Sequence, residues 1–446
     1  LLPVFWFGYF DGFKTGSSKT GNIPFYKIGT FGKEADAYIA SQLYEEYKAK
    51  YSYPEKGDVL ISAAGTLGRT VVFDGRPAYF QDSNIVWLRI DKSQLCNDYL
   101  AQYYNVIKWA SSEGSTISRL YNGIICDTEI LIPPLEEQTV IARVLSDADC
   151  LISSLQKLIA KKKAIKQGTM QELLTGKKRL PGFYGEWKRE QLPELLQEQN
   201  GIKIGPFGSQ LKKEYLIDIG EFKVYGQENV YEKDFRLGTR YIPKERYLKL
   251  KSCELLPGDF VISSMGTVGK CAIVPQNIQI GIMDSHLIRL KFNCKKIIPQ
   301  YILQLFSDEF DFLRNQIEKL SVGGIMDGLS TKIVQSLNVF YPVNIDEQKA
   351  ICAILNDMDG EIAQLEKKLA KYQKIKQGMM QELLTGRIRL VDVDGKEQPK
   401  TQILQEKQPQ PAHNQYFDDA VMIAGIVNAF YSEKYPLGRK KVQKLL

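Results

Sequence analysis

The twelve residues "IKQGMMQELLTG" (375–386) restate "IKQGTMQELLTG" (165–176) with one difference, 210 positions apart. At that offset, and without a gap, Glu137-Gln138 falls on Glu347-Gln348. Ile141, Leu145, Asp147, Asp149, Ile152 and Leu155 fall on identical residues at 351, 355, 357, 359, 362 and 365. Chance does not produce such a match, so any fold must house two copies of one segment. Upstream lies a weaker repeat at an offset of 201: "KGDVLISAAGTLGRT" (56–70) resembles "PGDFVISSMGTVGKC" (257–271), and "QDSNIVWLRI" (81–90) resembles "MDSHLIRLKF" (283–292). The order is the same in both halves, a variable globular segment followed by a nearly invariant one. The period is far too long for a solenoid.

The invariant segment reads as a helix. Ile141, Leu145, Ala148, Ile152, Leu155 and Ile159 are spaced 4, 3, 4, 3, 4, as are Ile351, Leu355, Met358, Ile362, Leu365 and Leu369. That is a heptad seam. Proline precedes each helix, acids fill its first turn, and Gly176 or Gly386 stands where a C-terminal cap belongs. About forty helical residues reach about 60 Å, so each helix projects beyond a small domain and needs a partner for its seam. The other copy is the obvious one. Gly168 and Gly378 interrupt good helix formers at a cost of roughly 1 kcal/mol each; close packing of the two arms is the expected reason.

The globular segments differ in kind. "DVLISAAG", "DFVISSMG", "NIVWLRI" and "HLIRLKF" read as strands. "DYLAQYYNVIKWASS" (98–112) and "QYILQLFSDEFDFLRNQI" (300–317) read as amphipathic helices. The fold class is therefore mixed α/β, with two globular domains separated and joined by two long helices. A length of 446 residues accommodates two to four domains. The expected boundaries are 1–134 for the first globular domain, 135–178 for the first helix, 179–342 for the second domain and 343–390 for the second helix. The Gln/Pro/Lys-rich stretch 391–415 reads as a flexible linker and 416–446 as a helical extension without an assigned role.

A net charge of +7 permits a polyanionic partner without requiring one. The seven cysteines are widely spaced and odd in number, which suits reduced, buried thiols in a cytoplasm and excludes CxxC zinc or redox patterns. The apolar opening "LLPVFWFGYF" is too short to span a bilayer, so no membrane role is expected. Two similar units on two seam-matched helices make a pseudo-twofold object, and duplex DNA is the commonest pseudo-twofold partner. Two heads of different sequence would read different half-sites.

The order of these segments resembles the specificity (S) subunits of Type I restriction–modification systems. The matching pieces are "KTGSSKTGNIPFYKIGTF" (14–31), "GDVLISAAGTLGRT" (57–70), "IPPLEEQ" to "QELLTG" (132–176), "GDFVISSMGTVGK" (258–270) and "DEQKAICAILNDMDGEI" to "QELLTG" (346–386). The resemblance covers about residues 11–390 and rests on the doubled order of all the motifs. It implies two target-recognition domains, each binding half of a split DNA site, and two helices packed as an antiparallel coiled coil that sets the spacer. It also implies that the chain has no catalysis of its own and no cofactor. It would scaffold two methyltransferase subunits that use S-adenosylmethionine, and two restriction subunits driven by ATP with Mg. The second domain is preceded by "RLPGFYGEWKREQLPELLQEQ" (179–199) and the first is not, so the amino end is read as incomplete or altered.

Candidate DNA contacts follow from residue chemistry within those motifs. Lys14, Thr15, Ser17, Ser18 and Lys19 lie in a loop of small hydroxyl residues suited to phosphates, and Lys203, Ser209, Gln210, Lys212 and Lys213 are the counterpart. A plain solvated turn is the alternative in each case. Thr66 and Arg69, with Thr267 and Lys270, belong to a shared Gly-Thr-x-Gly-cation pattern. Its glycines could bring amides to an anion, or could simply shape a strand-to-strand turn. "GTVGKC" is no Walker loop, since Ser264 and Cys271 stand at positions that need Gly and Ser/Thr. Gln81, Ser83, Asn84, Ser285 and His286 could read base edges from strand starts, and Arg119, Tyr121 and Asn122 from a loop. His286 is as readily a structural hydrogen-bonder. Lys161, Lys162, Lys163 and Lys166 read as a solvated helix face or as a docking patch. The expected seam is Ile141, Leu145, Ile152 and Leu155 against Ile351, Leu355, Ile362 and Leu365.

Enzyme readings find little support. An amino-methyltransferase needs an Asn/Asp-Pro-Pro-aromatic loop, which "IPPL" is not. Nuclease triplets of the Glu-x-Lys kind occur at Glu46/Lys48, with Asp36 ten residues upstream, and at Glu221/Lys223, where Asp218 stands too close; such triplets are common by chance. A coiled-coil scaffold that does not bind DNA needs the seam, but not the duplicated heads.

Overall fold

The computed structural model describes residues 23–80, 84–107, 109, 120, 122–199, 201–320 and 328–390. The stretches expected as linker and helical extension (391–446) lie outside the described residues. The first globular segment runs β1 (Ile23–Tyr26), β2 (Ala37–Ile39), α1 (Ser41–Lys50), β3 (Val59–Ser62), β4 (Thr70–Val72), β5 (Tyr79–Phe80), β6 (Ile85–Trp87), α2 (Asn97–Tyr104) and α3 (Asn122–Cys126), and leads into α4 (Leu135–Leu173). The second begins with β7 (Trp187–Gln191), β8 (Ile202–Ile204), β9 (Phe222–Tyr225), α5 (Gln227–Tyr231), β10 (Tyr241–Ile242) and α6 (Lys244–Lys249). It continues with β11 (Phe260–Ser263), β12 (Cys271–Ile273), β13 (Gly281–Met283), β14 (Leu287–Leu290), α7 (Pro299–Leu305), α8 (Phe312–Leu320), α9 (Thr331–Gln335) and β15 (Asn338–Pro342), and leads into α10 (Ile345–Leu383).

The strand pairings repeat. In the first segment β1 lies between antiparallel β2 and parallel β5, and β3 lies between antiparallel β4 and β6. In the second, β9 lies between antiparallel β10 and parallel β13, and β11 lies between antiparallel β12 and β14. Here β8 adds to β14, and β7 pairs with β15. The central strands β3 and β11 are buried at every position, three apolar residues followed by a serine in each, "VLIS" and "FVIS".

The chain forms two compact units. One joins the described residues up to Gln156 with those from Lys367 onward; the other is Lys157–Glu366. Each unit therefore holds the start of one long helix and the end of the other. In the first, Ile141, Ala142 and Leu145 of α4 share a core with Met379, Met380, Leu383 and Leu384 at the end of α10, and with Val59, Ile61 and Tyr99 of the globular part. In the second, Ile351, Cys352 and Leu355 of α10 share a core with Met170, Leu173 and Leu174 at the end of α4, and with Phe260, Ile262 and Tyr301. The repeated "QELLTG" thus supplies a leucine pair to each core, and fully burying one Leu is worth roughly 1.5–3 kcal/mol. After it the chain stops helical winding at Gly176 (φ 67°) and Gly386 (φ 70°), the left-handed cap that glycine adopts without strain.

Polar contacts repeat with the same register. Arg179 holds Glu347 through Nε–Oε1 and Nη2–Oε2 at 2.6 and 2.7 Å, and Arg389 grips Glu137 in the same two-pronged way. Both glutamates have side chains only 1% exposed. Lys166 pairs with Asp359, and Lys376 with Asp149, each at 2.6 Å. Within each unit the partner number falls as the residue number rises, so the two helices run antiparallel. Gln138 and Gln348, both fully buried, tie the helix starts to the globular parts. The Gln138 amide accepts from Cys96 N–H and donates to the carbonyls of Gln94 and Pro133; Gln348 does the same with Ile298, Lys296 and Pro342.

The expected seam is partly a domain interface. Leu155 and Ile362 are buried in mid-helix and Ile152 and Leu365 are half-buried, while Ile141, Leu145, Ile351 and Leu355 are absorbed into the domain cores. Four other expectations change. A Cβ placed on Gly168 or Gly378 meets nothing within 4 Å, so close packing does not explain either glycine. The lysine cluster is only partly a solvated face, with Lys161 and Lys163 exposed. Lys162 and Lys163 pair with Glu361 and Glu366, and Lys166 is buried between Asp359 and Glu309. Burial works to lower the Lys166 pKa, but the hydrogen bonds its ammonium donates to those two carboxylates, with their charges, outweigh it and the net shift is upward. The single helix expected over 300–317 is two, α7 and α8. The break holds Asp311 in a left-handed conformation (φ 52°), and Glu309 beside it reaches Lys166 at 2.9 Å. Lastly, all seven cysteines are free, but Cys126 and Cys294 are exposed rather than buried.

Candidate nucleic-acid interface

The Gly-Thr-x-Gly-cation segments form the β3–β4 and β11–β12 hairpin loops, with Gly65, Gly68, Gly266 and Gly269 all at positive φ (63–80°). A serine at the end of the central strand organises each loop. Ser263 Oγ donates to Thr267 O (2.6 Å) and accepts from Lys270 N–H (3.1 Å), while Gly269 N–H donates to Ser263 O (3.0 Å). Ser62 makes the same three bonds with Thr66, Arg69 and Gly68. Thr267 N–H donates to Tyr231 Oη (3.1 Å). The amides of Gly269 and Lys270, like those of Gly68 and Arg69, are thus engaged within the loop, and that of Thr267 by Tyr231. Thr66 and Thr267 are exposed.

Two further loops meet the second hairpin. Ser264 N–H donates to His286 O (2.8 Å), joining it to the turn that carries Ser285 and His286. Gly205 N–H donates to Leu287 O (3.0 Å), bringing in the segment with Lys203, Ser209, Gln210 and Lys212. A Cβ on Gly205 would stand 1.7 Å from Asp284 O, so only glycine lets these backbones cross. Ser209, Gln210, Lys212 and His286 are exposed, and Lys203 and Ser285 are half-buried. Lys212 faces Glu214 at 3.5 Å. Buried Asp284 fixes the turn by accepting from His286 N–H (2.9 Å) and from Arg240 (3.2 Å), which also holds Glu228 (2.8 Å). Lys270 Nζ bridges both oxygens of Asp308 at 2.9 and 2.6 Å, a hydrogen bond that holds the Asp308 carboxyl below the usual carboxylate range.

In the first unit Ala63 N–H donates to Asn84 O (2.7 Å), the counterpart of the Ser264–His286 bond, so Asn84 adjoins the Thr66–Arg69 hairpin. Arg69 folds back to donate to Phe31 O (3.2 Å). Asn122 opens α3. Lys14, Thr15, Ser17, Ser18, Lys19, Gln81, Ser83, Arg119 and Tyr121 lie outside the described residues. Sequence reasoning passed over Ser62, Ser263, Tyr231, Asp284 and Arg240. The serines were legible in the aligned "LIS" and "VIS", and Asp284 in the aligned "QDSN" and "MDSH"; Tyr231 and Arg240 have no repeat signature and act through tertiary contacts. Lys223, half of one nuclease triplet, is buried and donates to the carbonyls of Phe235 and Arg236, with its pKa lowered by burial. No helix among the described residues is long and apolar enough to cross a membrane.

Two duplicated α/β heads, each built on the start of one helix and the end of another, define the class. The family described as Type I restriction modification DNA specificity domain matches residues 13–167 and 204–377, and the chain belongs to it. A Haemophilus influenzae protein described as a type I restriction enzyme specificity subunit is 54% identical over 142 residues, 32% of this chain and 37% of that protein. The aligned region thus spans just over a third of that relative. A Methanocaldococcus jannaschii protein described as the type I restriction enzyme MjaX specificity subunit is 25% identical over 353 residues, 75% of this chain and 79% of the relative. The crystal structure of a Type I restriction–modification S subunit from M. genitalium shares the fold with a TM-score of 0.52 at 16% identity, covering 85% of this chain and 93% of that one.

Proposed function

We propose that this chain is the DNA-reading subunit of a Type I restriction–modification complex. Each recognition domain binds one half of a bipartite, asymmetric site through its hairpin and turn loops, and the antiparallel helices fix the spacer. The chain performs no chemistry. It positions two methyltransferase subunits, which supply S-adenosylmethionine, and two restriction subunits, which supply ATP and Mg-dependent steps. The observation that carries this reading is the reuse of one loop architecture in two heads of different sequence, Ser62–Arg69 with Asn84 and Ser263–Lys270 with His286, in a chain of this family. A coiled-coil scaffold would not need that second repeat, and the nuclease alternative loses Lys223 to the interior.

Methylome mapping of cells carrying this chain with its methyltransferase tests the proposal. The expected result is one adenine-methylated motif made of two specified halves around an unspecified spacer, absent when the chain is deleted. A contiguous motif, or methylation that ignores deletion of this chain, would overturn it.

A further inference from the structure

The break between α7 and α8 places an acid where the DNA reading calls for an anion. Asp308 sits in that break with its side chain 60% exposed, and its carboxylate is held from two directions. Lys270 Nζ, at the base of the Gly-Thr-x-Gly hairpin, contacts both oxygens. Arg314 Nη1, from the first turn of α8, contacts Oδ1 and also lies 3.4 Å from Asp311. The charge of Lys233, itself in a left-handed conformation (φ 52°), acts on Asp308 as well. The result is an anion held between an ammonium and a guanidinium, against the base of the hairpin that the DNA reading puts against the duplex. A phosphate has the same charge sign and acceptor geometry, and both cations favour it.

We propose that Asp308 is a built-in phosphate mimic, occupying the Lys270–Arg314 cleft in the free protein and displaced from it by a DNA backbone phosphate on binding. This rests on the DNA-reading function proposed above. Exchanging one anion for another makes the contact nearly neutral in energy for arbitrary DNA. Net gain then comes only where the remaining loops also fit, so the device suppresses sequence-independent binding. The pairs are partly solvent-exposed, and exposed pairs of this kind are weak enough to be exchanged.

The test is equilibrium binding of the full chain and of Asp308→Asn to a random-sequence duplex over a salt series, with circular dichroism to show that the variant is folded. Asp308→Asn should bind about tenfold more tightly at low salt, from removal of a competing and repelling charge. Its log–log salt dependence should steepen by about one unit, because a full phosphate contact replaces an exchange. Adding Arg314→Gln should abolish that gain. If the chain binds duplex but folded Asp308→Asn binds it no more tightly, or if the gain survives Arg314→Gln, the mimic is overturned and the DNA-reading function stands. If the unmodified chain and Asp308→Asn both ignore duplex at low salt, the function reading itself falls and the mimic with it.

Discussion

Arg179→Leu should destabilise the unit Lys157–Glu366 far more than removal of its partner. The arginine makes a two-pronged bond to Glu347, whose side chain is 1% exposed, while the arginine side chain is 27% exposed. Truncating the arginine strands a buried carboxylate, a loss of roughly 3–5 kcal/mol for a pair broken from one side. Glu347 lies in the first turn of α10, where the helix dipole offsets roughly 0.5–1 kcal/mol of that. The expected net is about 3 kcal/mol, or about 6–12 °C in the melting of a unit this size. Glu347→Gln leaves the guanidinium partly in water and still bonded to Gly185 O (2.9 Å), so it should cost only about 1 kcal/mol. The sign with pH is also fixed. In Arg179→Leu the buried, unpaired carboxyl takes up a proton more readily when folded than when unfolded, so the penalty shrinks as the pH falls from 7 and is gone by about 4.3, the ordinary unfolded glutamate value. Calorimetric melts of the full chain and both variants at pH 7 and pH 4 measure this. A melting shift under 2 °C for Arg179→Leu at pH 7, or equal shifts for the two variants, would refute the reasoning.

Gly168→Ala and Gly378→Ala should each raise stability by about 1 kcal/mol, because the new methyl enters open space on a helix; chemical denaturation shows it, and a loss would mean a contact there goes unseen. In the Asp308→Asn background, Lys270→Ala should weaken DNA binding and lower the salt slope by about one unit, and unchanged affinity at every salt concentration removes Lys270 from the interface. Lengthening one helix near Gly378 should change the tolerated spacer in the methylated motif and leave its halves alone; altered halves with the same spacer would end the ruler idea.

The helices were legible because periodicity, proline, acidic first turns and terminal glycine all agree over many residues, and α4 and α10 both run 39 residues. The break at Ser307–Asp311 was not. No Gly or Pro marks it, and Phe306, Phe310, Leu313 and Ile317 keep helical spacing. What sits in the break is a pair of charges with distant partners, Asp308 to Lys270 and Glu309 to Lys166. Within the lysine cluster Lys166 misled for the same reason, since a cation in a run of cations looks solvated until its acids arrive from elsewhere in the chain. The hairpin serines were visible in the repeat, as was Asp284 opposite Asp82, whereas Arg240, its partner across 44 positions, has no counterpart to compare.

By itself the sequence determined the doubled plan: mixed α/β segment, long helix, and both again, with identical seam positions. Local periodicity and self-similarity need no partner to be read. The tertiary structure alone decided what the identities at an offset of 210 are for. Glu137 and Glu347 are identical because each receives an arginine from the end of the other helix, Arg389 or Arg179. Asp149 and Asp359 are identical because each receives Lys376 or Lys166. Charge pairing acts through space at about 3 Å, and a sequence holds the two halves of such a pair about two hundred residues apart.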